Sequence, residues 1–246
     1  MSCFFQSGGQ DWPNKSRNIP VDWDLNENFS ACTTDECDGL WLSNDTTANY
    51  VDTTNNWIHW IVSRGTNDKI AYNLSSISGG TGVSDTAWVF RNSTTWNAKA
   101  DNAGNQQWFV LSSGNDTVDS ETAQDGIGYM IADFAGDEDI RSVMADGTAL
   151  PAGGGFWGAG NNFVKTLTTK YYFEVTRLSA TIWKIIYDDN SDFSSPIQDS
   201  GSQTVANTII NTDFLSLVNE NAGSTDGLTN SDTDTVQFIS GVTVAP

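Results

Sequence analysis

The sequence predicts an all-β fold, a two-sheet antiparallel jelly-roll sandwich. Three observations carry that expectation. About a dozen short runs of apolar, β-branched and aromatic residues recur, separated by turn signals roughly every 8 to 12 residues. No amphipathic run of helical period stands between them. Charged residues make up only 17% of the chain, and Thr, Ser, Asn, Asp and Gly fill the polar positions. Those residues suit turns and strand faces better than helix interiors.

Taken in order, residues 1–39 read as an irregular N-terminal arm. They hold Gly-Gly, two prolines and several asparagines without a period, and Trp12 and Trp23 are expected to anchor them. The sandwich is expected over 40–246. Residues 57–64 (WIHWIVSR) form a strand, 65–68 (GTND) a turn and 69–73 (KIAYN) the returning strand of a hairpin. A Gly- and Ser-rich loop, 78–85, leads to a strand over 86–91. Strands follow over 107–112 and 126–133, with a shorter one over 140–144. A loop of Gly, Phe and Trp, 151–162, interrupts them. Segments 171–178 and 180–187 make a tight hairpin through Ser179. In its first strand Tyr171, Phe173 and Val175 share one face, and Glu174 and Thr176 share the other. Strands over 214–218 and 235–244 close the chain, and no fixed-period repeat is present.

Composition narrows the function. A chain of 246 residues with ten Trp and twelve Phe fills one large sandwich core. The net charge of −20 repels phosphate backbones and anionic membranes, so neither nucleic acid nor membrane is expected as a partner. The longest apolar stretch, 57–62, falls far short of the ~20 residues of a spanning helix. The first residues carry no basic region and no apolar stretch of leader type. The expectation is therefore a domain excised from a longer protein or one displayed by assembly, at an extracellular or virion surface. An oligomer within a larger assembly is compatible with it.

Three segments carry a resemblance: 51–60 (VDTTNNWIHW), 65–72 (GTNDKIAY) and 84–91 (SDTAWVFR). Further agreement comes from 124–131 (QDGIGYMI), 171–177 (YYFEVTR), 186–193 (IYDDNSDF) and the closing 234–242. Together, over about 40–246, they resemble concanavalin A-like lectin/glucanase domains, in particular those of marine phage and archaeal surface or structural proteins. The resemblance implies two stacked sheets of six or seven strands, one of them concave. It implies sugar binding at rim loops, often with calcium, or cleavage in the concave groove. The expected function is a non-catalytic, lectin-like carbohydrate-binding module of a viral or cell-surface protein, with a glycan or polysaccharide as partner. The alternatives are a structural or decoration domain without sugar binding and a polysaccharide-cleaving enzyme.

The enzyme alternative lacks its acid pair. Retaining glucanases of this fold place two Glu on one strand face as Glu-x-Asp-x-Glu or Glu-x-Asp-x-x-Glu, with carboxyls ~5 Å apart. Here Glu stands at 27, 36, 121, 138, 174 and 220, with no partner at that spacing. Glu174 is expected to be solvated or salt-bridged, and His59 to be satisfied by a neighbour.

Binding candidates lie elsewhere. In 153–162 (GGGFWGAGNN) the glycines strip side-chain cover, so Trp157 and Phe156 either meet a sugar or tuck beneath the loop. Asn161 and Asn162 offer amides to hydroxyls. Asp133, Asp137 and Asp139 gather carboxylates on one short segment, which either holds calcium or forms a solvated acidic turn. Residues 188–192 have Asp-x-Asn-x-Asp spacing, but Phe193 replaces the glycine of a calcium loop, so a hairpin tip is expected. Cys32 and Cys37 either close a small disulfide loop or remain free thiols, with Cys3 left over. A lone His and scattered Cys fall short of a four-ligand zinc site.

Overall fold

The computed structural model describes residues 22–62, 67–76, 83–98, 105–114, 124–134, 137–148, 166–221 and 229–242. The strands are β1 (Leu25–Glu27), β2 (Trp41–Ser43), β3 (Asn49–Asp52), β4 (Trp57–Val62), β5 (Asn67–Asn73), β6 (Trp88–Ala98) and β7 (Asn105–Ser112). They continue as β8 (Gln124–Phe134), β9 (Asp137–Thr148), β10 (Lys170–Ser179), β11 (Ile182–Asp188), β12 (Gln198–Asp199), β13 (Gln203–Thr204), β14 (Phe214–Asn221) and β15 (Thr229–Ser240). One short 3-10 turn, Leu74–Ser76, follows β5. Among the described residues no helix is long and apolar enough to cross a membrane.

The strands form two antiparallel sheets, as expected for a sandwich. One has nine strands along β12-β11-β10-β6-β15-β4-β3, with β1 added against β15 and β13 against β11. The other has six, in the order β2-β5-β14-β7-β8-β9. Alternation sends Trp60, Phe90, Trp96, Phe173, Val175, Trp183 and Phe238 from the first sheet into one core. Phe109, Leu111, Ile127, Tyr129, Leu215 and Leu217 meet them from the second. Phe109, Tyr129 and Phe173 stack through that core with successive centroids 4.7 Å apart.

Two polar bridges cross between the sheets. The Trp96 indole donates to Gln107 Oε1 at 2.5 Å, and Gln107 Nε2 donates to Ser231 Oγ at 2.8 Å. The Tyr129 hydroxyl donates to Asn92 Oδ1 at 2.7 Å. Each satisfies groups that would be costly to bury alone. Burial pushes the Tyr129 hydroxyl well above the ordinary tyrosine range.

The far side of the six-stranded sheet is also apolar. Trp108, Val110, Met130, Val143, Ala145 and Val218 form a second buried cluster there. The centre of this sheet is therefore buried on both faces, which explains why 108–111 (WFVL) is a continuous apolar run.

The expected arm is part of the packed unit from residue 25 onward. Strand β1 pairs with β15, and Phe29, Cys32 and Cys37 belong to the main core. Cys32 and Cys37 are bonded to each other. Trp23 packs against Val89 and Ile239 on the outside of the larger sheet. Several strands run longer than expected, and β5 begins at Asn67, inside the expected 65–68 turn. β6 extends to Ala98, β9 spans Asp137–Thr148, and β15 begins at Thr229.

Candidate functional site

The outer face of the nine-stranded sheet carries a group of polar and aromatic side chains brought together from five strands. Its origin is the alternation of β4. Ile58 and Trp60 enter the core, so Trp57, His59 and Ile61 face outward. On β15 a bulge between Thr233 and Thr235 resets the period. Ser231 reaches inward to Gln107 before the bulge, and Val236 and Phe238 do so after it. Asp232 and Asp234 are thereby turned outward together.

Register then lines these residues up across the strands. Tyr50 on β3 opposes His59 on β4, which opposes Asp232 on β15. Asp232 opposes Thr95 on β6, which opposes Lys170 on β10. Beside this row Ser93 opposes Tyr172, which opposes Asp188.

The centre of the row is a His–Asp pair. His59 Nδ1 and Asp232 Oδ1 are 2.6 Å apart, and the Tyr50 ring lies 5.4 Å from the imidazole. The Asn97 amide donates to the second oxygen of Asp232. Asp234 accepts from both the Ser93 hydroxyl and the Lys170 ammonium. The groups remain within reach of solvent: the side chains of His59, Asp234 and Lys170 are 19%, 28% and 37% exposed. Asp52 pins the 53–56 turn, accepting from Thr54 N, Asn55 N and Asn55 Nδ2 at 2.8–3.0 Å.

The local field is acidic. Burial raises the Tyr50 hydroxyl above its ordinary value, and the charges of Asp52 and Asp232 raise it further. Burial also acts to raise Asp52, but the hydrogen bonds from Asn55 and Thr54 and the neighbouring His59 outweigh it and leave the carboxyl below its usual range. Burial raises Tyr172 too, with Asp234 adding to the shift and Lys170 opposing it.

Next to this row lies a buried ion pair. Arg91 donates from Nε at 2.9 Å and Nη2 at 2.7 Å to Glu174 Oε2. Thr176 Oγ1 donates to Oε1 at 3.1 Å. The rings of Trp23 and Phe193 lie 5.3 and 5.2 Å from the guanidinium carbon. Phe193 holds a left-handed backbone, φ 49°, where glycine is favoured. Its ring is buried against Ile186 and Tyr172. Glu174 is thus a salt-bridged strand residue with both oxygens engaged.

The sequence-derived candidates fall in three places. Trp157, Phe156, Asn161 and Asn162 lie outside the described residues. Asp133, Asp137 and Asp139 have described backbones within the β8–β9 hairpin, where they oppose Glu138, Phe134 and Ala132. Their side chains, like residues 151–165, lie outside the described part of the structure. Asp188 and Asp192 accept backbone bonds from Asn190 and Ser194, which closes the turn after β11. Among the described residues one trio of metal-ligating side chains, Glu27, Cys32 and Cys37, has its donor atoms within 4.8 Å of one another.

Sequence reading passed over Tyr50, Asn97, Asp232 and Asp234. The signal available was Asp232-Thr-Asp234, two carboxylates at alternate positions of a strand. What hid it was the bulge, because period-two counting from Val236 does not carry back through it.

No protein-family model matches this chain, and no curated protein matches its sequence. Solved structures do. The Emp47p carbohydrate recognition domain superposes with a TM-score of 0.55 over 89% of this chain and 96% of its own, at 10% identity. The Bacillus licheniformis β-glucanase gives 0.57 over 88% and 98%, at 9% identity. The fold is concanavalin A-like. The Emp46p carbohydrate recognition domain, in a metal-free form, gives 0.53 over 90% and 99%, at 13% identity. This concanavalin A-like architecture is shared by lectin domains and glycoside hydrolases alike, so the chemistry must be argued from side chains.

Proposed function

We propose that this domain is a non-catalytic carbohydrate-binding module of a viral or cell-surface protein, holding a glycan across the outer face of its nine-stranded sheet. The observation that carries the reading is the cross-strand row that runs from half-exposed Tyr50 through His59, Asp232 and Asn97 to Asp234 and Lys170, with half-exposed Trp57 two positions before His59 on the same face of β4. Sugar C–H faces stack on such rings, while carboxylates, amides and ammonium groups take the hydroxyls. The five strands from β3 to β10, about 4.8 Å apart, give a platform about 19 Å long, which suits an oligosaccharide. Trp157, Phe156, Asn161 and Asn162, with calcium at Asp133, Asp137 and Asp139, belong to the same proposal as a second contact region. The non-catalytic character is supported by Glu174, whose two oxygens are committed to Arg91 and Thr176.

A glycan array probed with and without calcium tests the proposal. Binding is expected, with Tyr50→Ala and Trp57→Ala each weakening it at least about tenfold, the size of losing one stacking contact. Trp157→Ala reports separately on the second region. Silence against every sugar overturns the reading in favour of a structural surface domain. Release of reducing ends from mixed polysaccharides would instead establish an enzyme.

A further inference from the structure

The cysteine loop was expected to fall short of a metal site because the sequence shows too few ligands near it. The fold supplies another. Pairing of β1 with β15 places Glu27 opposite Val236, and the chain then turns through Phe29 into the loop. The carboxylate of Glu27 and the sulfurs of Cys32 and Cys37 lie within 4.8 Å of one another. Both cysteines are buried, and Glu27 is half-buried beside them. Glu27 Oε1 accepts from the Phe29 amide at 2.7 Å, which orients the carboxyl. The loop is itself ordered: Cys37 N donates to Thr34 O at 3.0 Å, Asp38 N donates to Thr34 Oγ1 at 2.7 Å, and Asp38 accepts from Thr33.

We infer that this trio is a redox-gated site for a borderline-soft divalent cation such as zinc. In the oxidised protein the sulfurs bond each other. A dithiol reductant breaks that bond, is itself oxidised to a disulfide, and leaves two thiols. A zinc ion then displaces the two thiol protons and is held by Cys32 Sγ, Cys37 Sγ and a Glu27 oxygen, with water in the fourth position. Zinc–sulfur bonds of about 2.3 Å in a tetrahedron need the sulfurs about 3.8 Å apart, and a loop spaced Cys-x4-Cys spans that separation. The 32–37 loop is thus clasped covalently under oxidising conditions and by the ion under reducing ones. The observation is independent of the glycan reading.

The test titrates cobalt(II), as a coloured stand-in for zinc, into the full chain carrying Cys3→Ser. The reduced protein is expected to bind one cobalt, with a near-ultraviolet thiolate charge-transfer band that zinc abolishes. Oxidised protein is expected to show no band. Cys32→Ser and Cys37→Ser, kept reduced, are expected to lose at least about a hundredfold in affinity, and Glu27→Gln about tenfold. Far-UV circular dichroism verifies that each variant retains its β signature. No band in the folded, reduced protein overturns the inference. So does a band that persists in the oxidised protein, or an unchanged cobalt affinity in either serine variant. Unchanged affinity in Glu27→Gln removes Glu27 from the site and with it the trio.

Discussion

At the residue scale the most exacting arrangement is Arg91 with Glu174. Both side chains are buried, the shorter contact is 2.7 Å, and two aromatic rings cover the cation. Burying a charge is tolerable only while its partner stays ionised. Glu174→Gln keeps the shape and removes the charge, so it is expected to cost about 3 kcal/mol or more in urea unfolding. The double variant Arg91→Met with Glu174→Leu is expected to recover most of that loss. A midpoint unchanged by Glu174→Gln would show that the pair is energetically idle. Sequence reasoning reached Glu174 as a paired or solvated strand residue, since alternation placed it opposite Phe173 and Val175. It did not identify Arg91, which lies 83 residues away.

At the element scale, strand contents decided how much was legible. The β10–β11 hairpin was readable because Tyr171, Phe173 and Val175 keep strict period two against one apolar face. The second half of β6 was not, because Asn92 and Thr94 are buried there as polar residues. Their stability comes from partners on other strands, Tyr129 and Thr233, which no local window contains. Gly128 was read only as part of an apolar strand. The structure shows why glycine stands there. A Cβ at this position would lie 2.0 Å from the Phe109 carbonyl oxygen and 2.8 Å from Val110 Cα on β7. Gly128→Ala therefore has to push β7 and β8 apart and is expected to destabilise by about 3 kcal/mol. Denaturant unfolding followed by Trp fluorescence measures it, and an unaltered midpoint would contradict so close an approach.

At the scale of the whole molecule, charge and buried phenols set the response to pH. Burial pushes Tyr187 up to about 12, with the nearby Tyr171 adding to the shift. Tyr129, Tyr72, Tyr172 and Tyr50 are also raised, in each case chiefly by burial. A tyrosine whose folded value exceeds its unfolded value near 10 contributes stability that is complete below pH 10. That contribution is lost as the pH climbs toward the folded value. A net charge of −20 adds self-repulsion in the same direction. Urea midpoints are therefore expected to hold steady to about pH 9.5 and fall steeply between pH 10 and 12, with Tyr187→Phe showing a shallower fall. A flat profile through pH 11 would contradict the burial of these hydroxyls.

The sequence by itself determined the fold class, the inward and outward faces of its regular strands, and the absence of a two-glutamate cleavage motif. These depend on local periodicity and on residue counts, which a linear string preserves. Only the tertiary structure brought His59 to Asp232, 173 residues away, and Glu27 to the cysteine loop. Through a bulge it also set Asp232 and Asp234 on the outer face, against the inward period of Val236 and Phe238. Such meetings depend on strand register, and register is fixed by hydrogen bonding and packing across the whole sheet rather than by any segment alone.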